Sequence, residues 1–436
     1  MFINIESEIR YAIEPQHTCS LAGAYLGVLH LKDAAMIAHA SPGCGFAMRY
    51  GLAQHWKGFL PCPVTNVCEE HVIMGSEELL YEAILKTFSI HKPKQIFVLT
   101  GCSTALIQED YEAVAYKAEK KIGIPIICIA TGGIIGDVYY GYNSFLEAIV
   151  KKCSFKKNVI LDSVKRAYFT GIFPRYDMHW RGDCKEISDM FMEFFDIKAL
   201  PFLFDEVDYE QISEISSSDF CLTVNPRIGK KTLKNLSKKS GCKFYISSFA
   251  PIGIQYTSFF LQEVAEILNM DLKVFRDKLN HKIEIVRSAL LRGFDFAKVM
   301  YSSAKMAVIG EPSQAIPLIN FFANEMGITP VMVAFIEKAN ELELMELERV
   351  LSVRKISMTV LNNQDNSFIK DTIIRSGVNL VFGRSLDRIP NSDIVHITWQ
   401  FPSSDHFVIY DRPIIGFNGA ISLVDYIVNA FSAKWY

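Results

Sequence analysis

The chain has 436 residues, half of them apolar and 21% charged, with a formal net charge of −3. That is a globular composition, long enough for about three domains at roughly 150 residues each. The near-neutral charge gives no electrostatic reason to expect nucleic acid or an anionic membrane as partner. The uncharged stretch between Lys121 and Asp137 is too short to span a bilayer and contains Pro125.

The opening segment MFINIESEIR carries Glu6 and Glu8 and no basic-then-apolar leader pattern, so a cytoplasmic protein is expected. Short apolar runs then alternate with longer amphipathic ones, the pattern of parallel α/β units. AAMIAHA (34–40) reads as a buried strand, EELLYEAILKTF (77–88) as a helix and QIFVLT (95–100) as a second strand. QEDYEAVAYKAEKK has helical spacing and leads into the strand IPIICIA (124–130). A second unit contains FCLTVN (220–225), the Lys-rich helix KKTLKNLSKK, KFYISS (243–248) and a helical region over 256–294. A third contains KMAVIG (305–310), a helix to Met326, PVMVAFI (330–336), a helix through ELELMELERV, and the strands SMTVL and LVFG. The expected domains are 1–155, 156–295 and 296–436.

Ten cysteines are many for such a chain. In a reducing compartment they are buried apolar residues or metal ligands rather than a disulfide framework. Cys128, Cys153, Cys184 and Cys242 read as buried filler. Cys44, in SPGCGFAM, and Cys102, in TGCSTAL, stand just past two strands, where open parallel sheets gather their ligands. Small neighbours there let a bulky group approach the backbone. Cys19 lies in HTCSLAGAYLGV, another small-residue segment. No CxxC pair or ferredoxin-type run is present, which argues against a zinc ribbon or a clustered ferredoxin site. Cys62 and Cys68, six apart in CPVTNVC, make a weak motif. Three distant thiolates favour an iron–sulfur cluster, zinc or copper(I). A cubane wants four protein ligands, so a three-thiol set suggests a second chain at the site.

The segments CSLAGAYLGVLHLKDAAMIAHASPGCGFAMRYG, NVCEEHVIMGSEELLYEAI and IFVLTGCSTALIQEDYEAV resemble the opening domain of the nitrogenase component 1 superfamily. The similarity continues through GGIIGDVYYGYNSFLEAI, SSFAPIGIQYTSFFL and DRPIIGFNGAISLVDYIVNAF. The cysteine intervals of 25 and 58 residues resemble those of β-type subunits. The resemblance implies three Rossmann-like parallel-sheet domains. It also implies that Cys19, Cys44 and Cys102 bind an iron–sulfur cluster shared with a homologous α-type subunit in an α2β2 assembly. That cluster would be an [8Fe–7S] P-cluster-like center or a [4Fe–4S] cluster relaying electrons. Asp137 falls where β subunits carry a serine near the cluster, so its carboxylate is a candidate further ligand.

Two departures separate this chain from the cofactor-bearing α type. Asn225, rather than Cys221, falls near the position of the cofactor cysteine, and Ile415 stands in place of the cofactor histidine. NPRIGKKT lacks the first glycine of a phosphate loop, so ATP hydrolysis is assigned to a separate P-loop iron–sulfur ATPase implied as partner. His17 and His39 are candidate groups for tuning a cluster by hydrogen bonding. Arg49 and His55 are candidates to face the cofactor side or the subunit interface, with a solvated helix face the ordinary alternative, and Glu69–Glu70–His71 reads as a turn beside the cluster. The expected function is the electron-relaying subunit of an oxygen-sensitive reductase. The alternatives are a non-catalytic cofactor-assembly scaffold and an unrelated zinc- or metabolite-binding α/β protein.

Overall fold

The computed structural model describes residues 3–6, 18–53, 61–153, 166–204, 207, 215, 219–301 and 304–432. The first element, β1 (Ile3–Glu6), is followed by α1 (Ser20–Val28), β2 (Ala34–His39), α2 (Pro42–Ala53), α3 (Glu69–Met74) and α4 (Glu77–His91). Next come β3 (Gln95–Thr100), α5 (Cys102–Ile107), α6 (Tyr111–Ile122), β4 (Ile126–Ile129) and α7 (Val138–Lys152). Strands β2, β3 and β4 form one parallel sheet, with Ile37 opposite Val98 and Val98 opposite Cys128. All six residues of β3 are buried. A central parallel strand is covered on both faces, which is why QIFVLT reads as one apolar run.

The second sheet has the order β6-β5-β7-β8 and is built from β5 (Arg166–Thr170), β6 (Lys198–Pro201), β7 (Asp219–Thr223) and β8 (Lys243–Ile246). Its helices are α8 (Trp180–Phe195), α9 (Lys230–Ser240), α10 (Gly253–Ile267) and α11 (Leu272–Tyr301). The helical region expected over 256–294 is thus two helices. Asn269 takes a left-handed conformation (φ 55°) between them, which short polar side chains tolerate.

The third sheet contains β9 (Lys305–Gly310), β10 (Thr329–Phe335), β11 (Met358–Asn362), β12 (Leu380–Gly383) and β13 (Val395–Thr398). Its helices are α12 (Pro312–Asn320), α13 (Glu341–Ser352), α14 (Asn366–Arg375) and α15 (Gly416–Ser432), and a π turn spans Phe321–Glu325. Asn340 and Glu343 cap α13 reciprocally, the residue pair that marks such a start in sequence.

The chain is therefore an α/β protein with three parallel sheets. Two connections cross the boundaries expected from sequence. Strand β1 pairs with β11, Ile5 opposite Val360, so residues 3–6 complete the third sheet rather than the first unit. Helix α15 packs on α8, α10 and α11 of the second unit. Its Phe417, Leu423 and Ile427 join the core that contains Phe191 and Phe260.

The first unit turns on a close helix crossing. A Cβ at Gly23 of α1 would run into the Val138 carbonyl oxygen, and one at Gly141 of α7 into the Ser20 carbonyl. Only hydrogen fits at either point, so α1 and α7 meet backbone to backbone. Cys19 immediately precedes α1 and Asp137 immediately precedes α7, so this crossing brings the two chain segments side by side.

Candidate metal centre

The ends of β2 and β3 are stitched together before any ligand is considered. The Gly101 amide donates to the His39 carbonyl over 2.9 Å, and Thr104 Oγ1 donates to the same oxygen over 2.8 Å. Cys44 lies in the first turn of α2, 3.5 Å from Ser41 Oγ. Cys102 opens α5 directly after Gly101.

Cys19 reaches this edge from the other side. It pairs through its backbone with Asp137. Ser20 Oγ donates to the Thr131 and Gly132 carbonyls, over 2.7 and 2.9 Å, in the loop that follows β4. Gly133 of that loop closes the arrangement. Its amide donates to Cys102 Sγ over 3.1 Å. A side chain there would stand 3.1 Å from Cys19 Cβ and 3.3 Å from Cys102 Sγ. Cys19 and Cys102 thus flank one glycine, and Cys44 is close enough to act on Cys19 electrostatically. Burial pushes the Cys19 thiol up, the Ala22 and Leu21 amides pull it down, and Cys102 and Cys44 push it up further.

Among the described residues, no three His, Cys, Asp or Glu side chains form a site for a single metal ion. A multi-iron cluster makes a different demand, because each thiolate binds its own iron. The donor set suits it: three half-buried thiols, a glycine that allows close approach, and helix amino ends at Cys19 and Cys44 that favour negative charge.

Asp137 lies beside Cys19, but its Oδ1 caps α7 by accepting from the Tyr140 amide over 2.7 Å. Cys62 is buried and near Cys44; burial pushes its thiol up to about 11, with Arg49 opposing. Cys68 is exposed, 2.9 Å from His71 Nδ1, and the two residues cap α3. Cys153, Cys184 and Cys242 are buried, as expected of filler, while Cys128, inside its apolar run, is only half-buried. Cys221 and Cys242 place their sulfurs 3.5 Å apart in the second unit.

His39 is fully buried, and its two ring nitrogens are taken by Thr65 Oγ1 (3.0 Å) and Ser76 Oγ (2.9 Å). Arg49 Nε donates to the Gly45 carbonyl over 3.2 Å. His17 and His55 lie outside the described residues. Sequence reasoning missed Gly133 and Ser20, although a Gly-Gly pair just past a buried strand is a signal of close backbone approach.

The second-unit positions behave differently. Asn225 donates to Glu311 Oε2 and accepts from Ser313 Oγ. Glu311 in turn pairs with Arg227 over 2.5 Å. Ile415 is buried, its amide donating to Asp183. The cavity lined by Gly171, Val224, Trp399 and Ile415 holds about 20 Å³, room for about one water and not for a cluster.

The surface around the thiols is apolar. Ile73 and Met74 on α3 are each 80% exposed; Phe46 and Tyr50 on α2, Leu106 on α5, and Ile134 and Ile135 are exposed as well.

The nitrogenase component 1-type oxidoreductase model matches residues 19–432. The chain belongs to this family. It is 27% identical to the nitrogenase molybdenum-iron protein beta chain of Methanococcus maripaludis, over 99% of this chain and 97% of the relative. It is 22% identical to the nitrogenase iron-iron protein beta chain of Rhodobacter capsulatus, over 97% of this chain and 94% of the relative. The solved structure of nitrogenase Cp1 at pH 6.5 superposes with a TM-score of 0.82 at 22% identity, covering 99% of this chain and 96% of that one. Family membership makes the chain an oxidoreductase type with β-type relatives. No helix among its described residues is long and apolar enough to cross a membrane.

Proposed function

We propose that this chain is the β-type subunit of a nitrogenase-like reductase, in which Cys19, Cys44 and Cys102 hold an iron–sulfur center shared with a homologous α-type subunit. When bound, that center supplies one-electron transfer between a separate P-loop iron–sulfur ATPase and the α-type subunit's catalytic cofactor. The observation that carries the reading is the meeting of Cys19 and Cys102 across Gly133, with Cys44 within electrostatic reach of Cys19.

The residues of this chain divide the work. The three thiolates grip metal. The Gly133 amide donates to the Cys102 sulfur and stabilises charge on it, as hydrogen bonds to cluster sulfurs do. The exposed apolar collar from α2, α3 and α5 excludes water once an α-type partner covers it. A three-thiol set at such a surface supports a shared cluster of [8Fe–7S] or [4Fe–4S] type. The 20 Å³ cavity between the second and third units supports leaving the catalytic cofactor to the α-type subunit.

The test is anaerobic purification of the complex from its native host, with iron and acid-labile sulfide measured per chain. The reading requires several irons per chain, a marked loss in Cys44→Ala, and turnover of a reducible substrate with the ATPase present. Full iron content in Cys44→Ala would overturn the cluster assignment. Iron and sulfide without turnover would favour the assembly-scaffold alternative.

A further inference from the structure

In the second unit the sulfurs of Cys221 and Cys242 meet at 3.5 Å, joined by an S–H···S hydrogen bond. The strand register explains the meeting. Cys221 on β7 stands opposite Phe244 on β8. Cys242 precedes Phe244 by two residues, so it falls on the same face of the sheet. Burial of one cysteine needs no function. Two sulfurs in contact form a dithiol, which a packing role for each alone does not explain.

The surroundings narrow what the pair can do. Leu233 and Leu236 of α9, with Ile149 and Val150 of α7, share its core cluster, so the neighbourhood is hydrocarbon. Among the described residues, no third His, Cys, Asp or Glu joins the two thiols in a metal-binding group. Structural zinc takes four ligands, so the pair is not a zinc site. What two adjacent thiols can still do is become a disulfide.

The two sulfurs are not equivalent. Cys221 is 0% exposed, on a strand flanked by β5 and β8. Cys242 is buried but stands at the margin, just before the edge strand β8 and between exposed Gly241 and Lys243. The last turn of α9 is tied to it, Ser237 Oγ donating to the Cys242 carbonyl over 2.7 Å. Helix ends open locally with little free energy, which gives a small neutral oxidant a route to Cys242 before Cys221. The hydrogen bond from Cys221 holds the Cys242 thiol below its ordinary range, against burial. That bond and burial push Cys221 well above its own. Cys242 is therefore the sulfur that reacts first as thiolate.

We propose that Cys221 and Cys242 are a peroxide-responsive dithiol, oxidised to a disulfide that ties β7 to the start of β8 and reopened by thiol reductants. The Cys242 thiolate attacks one oxygen of hydrogen peroxide, breaking the O–O bond and giving a sulfenic acid and hydroxide. The Cys221 sulfur then displaces the hydroxyl from that sulfenic acid and forms the S–S bond. Two thiols and one peroxide become one disulfide and two waters, the sulfurs giving up two electrons. At 3.5 Å the sulfurs already stand at near-attack distance. They close by about 1.5 Å to bond, a shift on the scale of a side-chain rotation.

The test uses the full-length chain with its co-purifying subunits, treated anaerobically with increasing hydrogen peroxide and alkylated after denaturation. Trypsin cuts at Arg227 and at the lysines of α9, so the two cysteines part into separate peptides unless a disulfide joins them. The linked pair is expected at least about tenfold above any other cross-link, as pre-positioned sulfurs predict, and it should vanish with dithiothreitol. In Cys221→Ala, Cys242 should instead be found as sulfinic acid. The parent's cross-link is read without any variant. Both peptides alkylated at every peroxide concentration would overturn the proposal. So would cross-links spread evenly among several cysteines, or a Cys242 that stays a thiol in Cys221→Ala.

Discussion

The amide of Gly133 stands 3.1 Å from Cys102 Sγ, so the loop after β4 is tied by one hydrogen bond to the thiol that follows β3. The absent side chain matters as much as the amide. A Cβ there would face Cys102 Sγ at 3.3 Å and Cys19 Cβ at 3.1 Å. Gly133→Ala should therefore crowd both thiols at once. Overpacking of this kind costs about 1–3 kcal/mol. Because the strain falls on two proposed ligands, iron content per chain should drop by half or more while the circular dichroism spectrum stays native. Unchanged iron content would show that Gly133 is a spectator.

A sharper loss is expected at the α1–α7 crossing. At Gly23 and Gly141 an added methyl would meet carbonyl oxygen of the opposite helix, not a flexible side-chain end. Backbone cannot yield as a rotamer does, so Gly23→Ala should lower stability by about 3 kcal/mol or more. It should also loosen Cys19, which is held at the start of the same helix. Urea unfolding gives the first effect and iron analysis the second. Wild-type stability in Gly23→Ala would mean that the helices can separate without penalty.

Much of this arrangement is legible in the residues alone. QIFVLT and KMAVIG coincide with β3 and β9 to the residue, because buried parallel strands are unbroken apolar runs bounded by polar or glycine breaks. The flanking small residues of Cys44 and Cys102 mark the strand ends where ligands gather. Other parts are silent. Strand β1 is four residues long and finds its partner more than 350 positions away; nothing local encodes that pairing. RAYFT, the later β5, mixes Arg166 with half-buried Tyr168 and resembles a loop edge more than a core strand. Gly133 and Ser20 act through an amide and a hydroxyl whose targets exist only after folding. The Asn225–Glu311–Arg227 contacts likewise join distant segments whose charges, read separately, look like solvated surface.

Asp177 supplies a pH test. Burial, opposed by the Phe173 amide and reinforced by Glu311, pushes its carboxyl up to about 7. An unfolded aspartate ionises near 3.9. Between about pH 4 and 7 the folded chain therefore holds a proton that the unfolded chain has released, and stability falls as pH rises through that window. Water reaching Asp177 through the cavity it lines limits the effect to on the order of 2 kcal/mol. Asp177→Asn keeps an acceptor for the Phe173 amide and cannot ionise. Its stability relative to the parent should rise between pH 4 and pH 8 by about that amount, measured by urea midpoints at both pH values. A difference that stays constant across the range would refute the assignment.

The apolar collar yields the last test, because it separates folding from assembly. Ile73, Met74 and Leu106 are exposed on α3 and α5 next to the thiols. Such a concentration on a globular chain marks a surface suited to cover by another protein. A carboxylate introduced at Ile73 or Leu106 would stay solvated in the isolated chain, so its effect on stability should be within about 0.5 kcal/mol. In an assembled complex the same carboxylate would be desolvated against an apolar partner surface without a counter-charge, which costs several kcal/mol. Ile73→Asp with Leu106→Asp should therefore leave the unfolding midpoint nearly unchanged while the α-type chain no longer co-purifies. Iron content should fall with it, since the proposed three-thiol center would need the partner to close it. Recovery of an intact complex from the double variant would place the α-type contact on another face and remove the main support for a shared center.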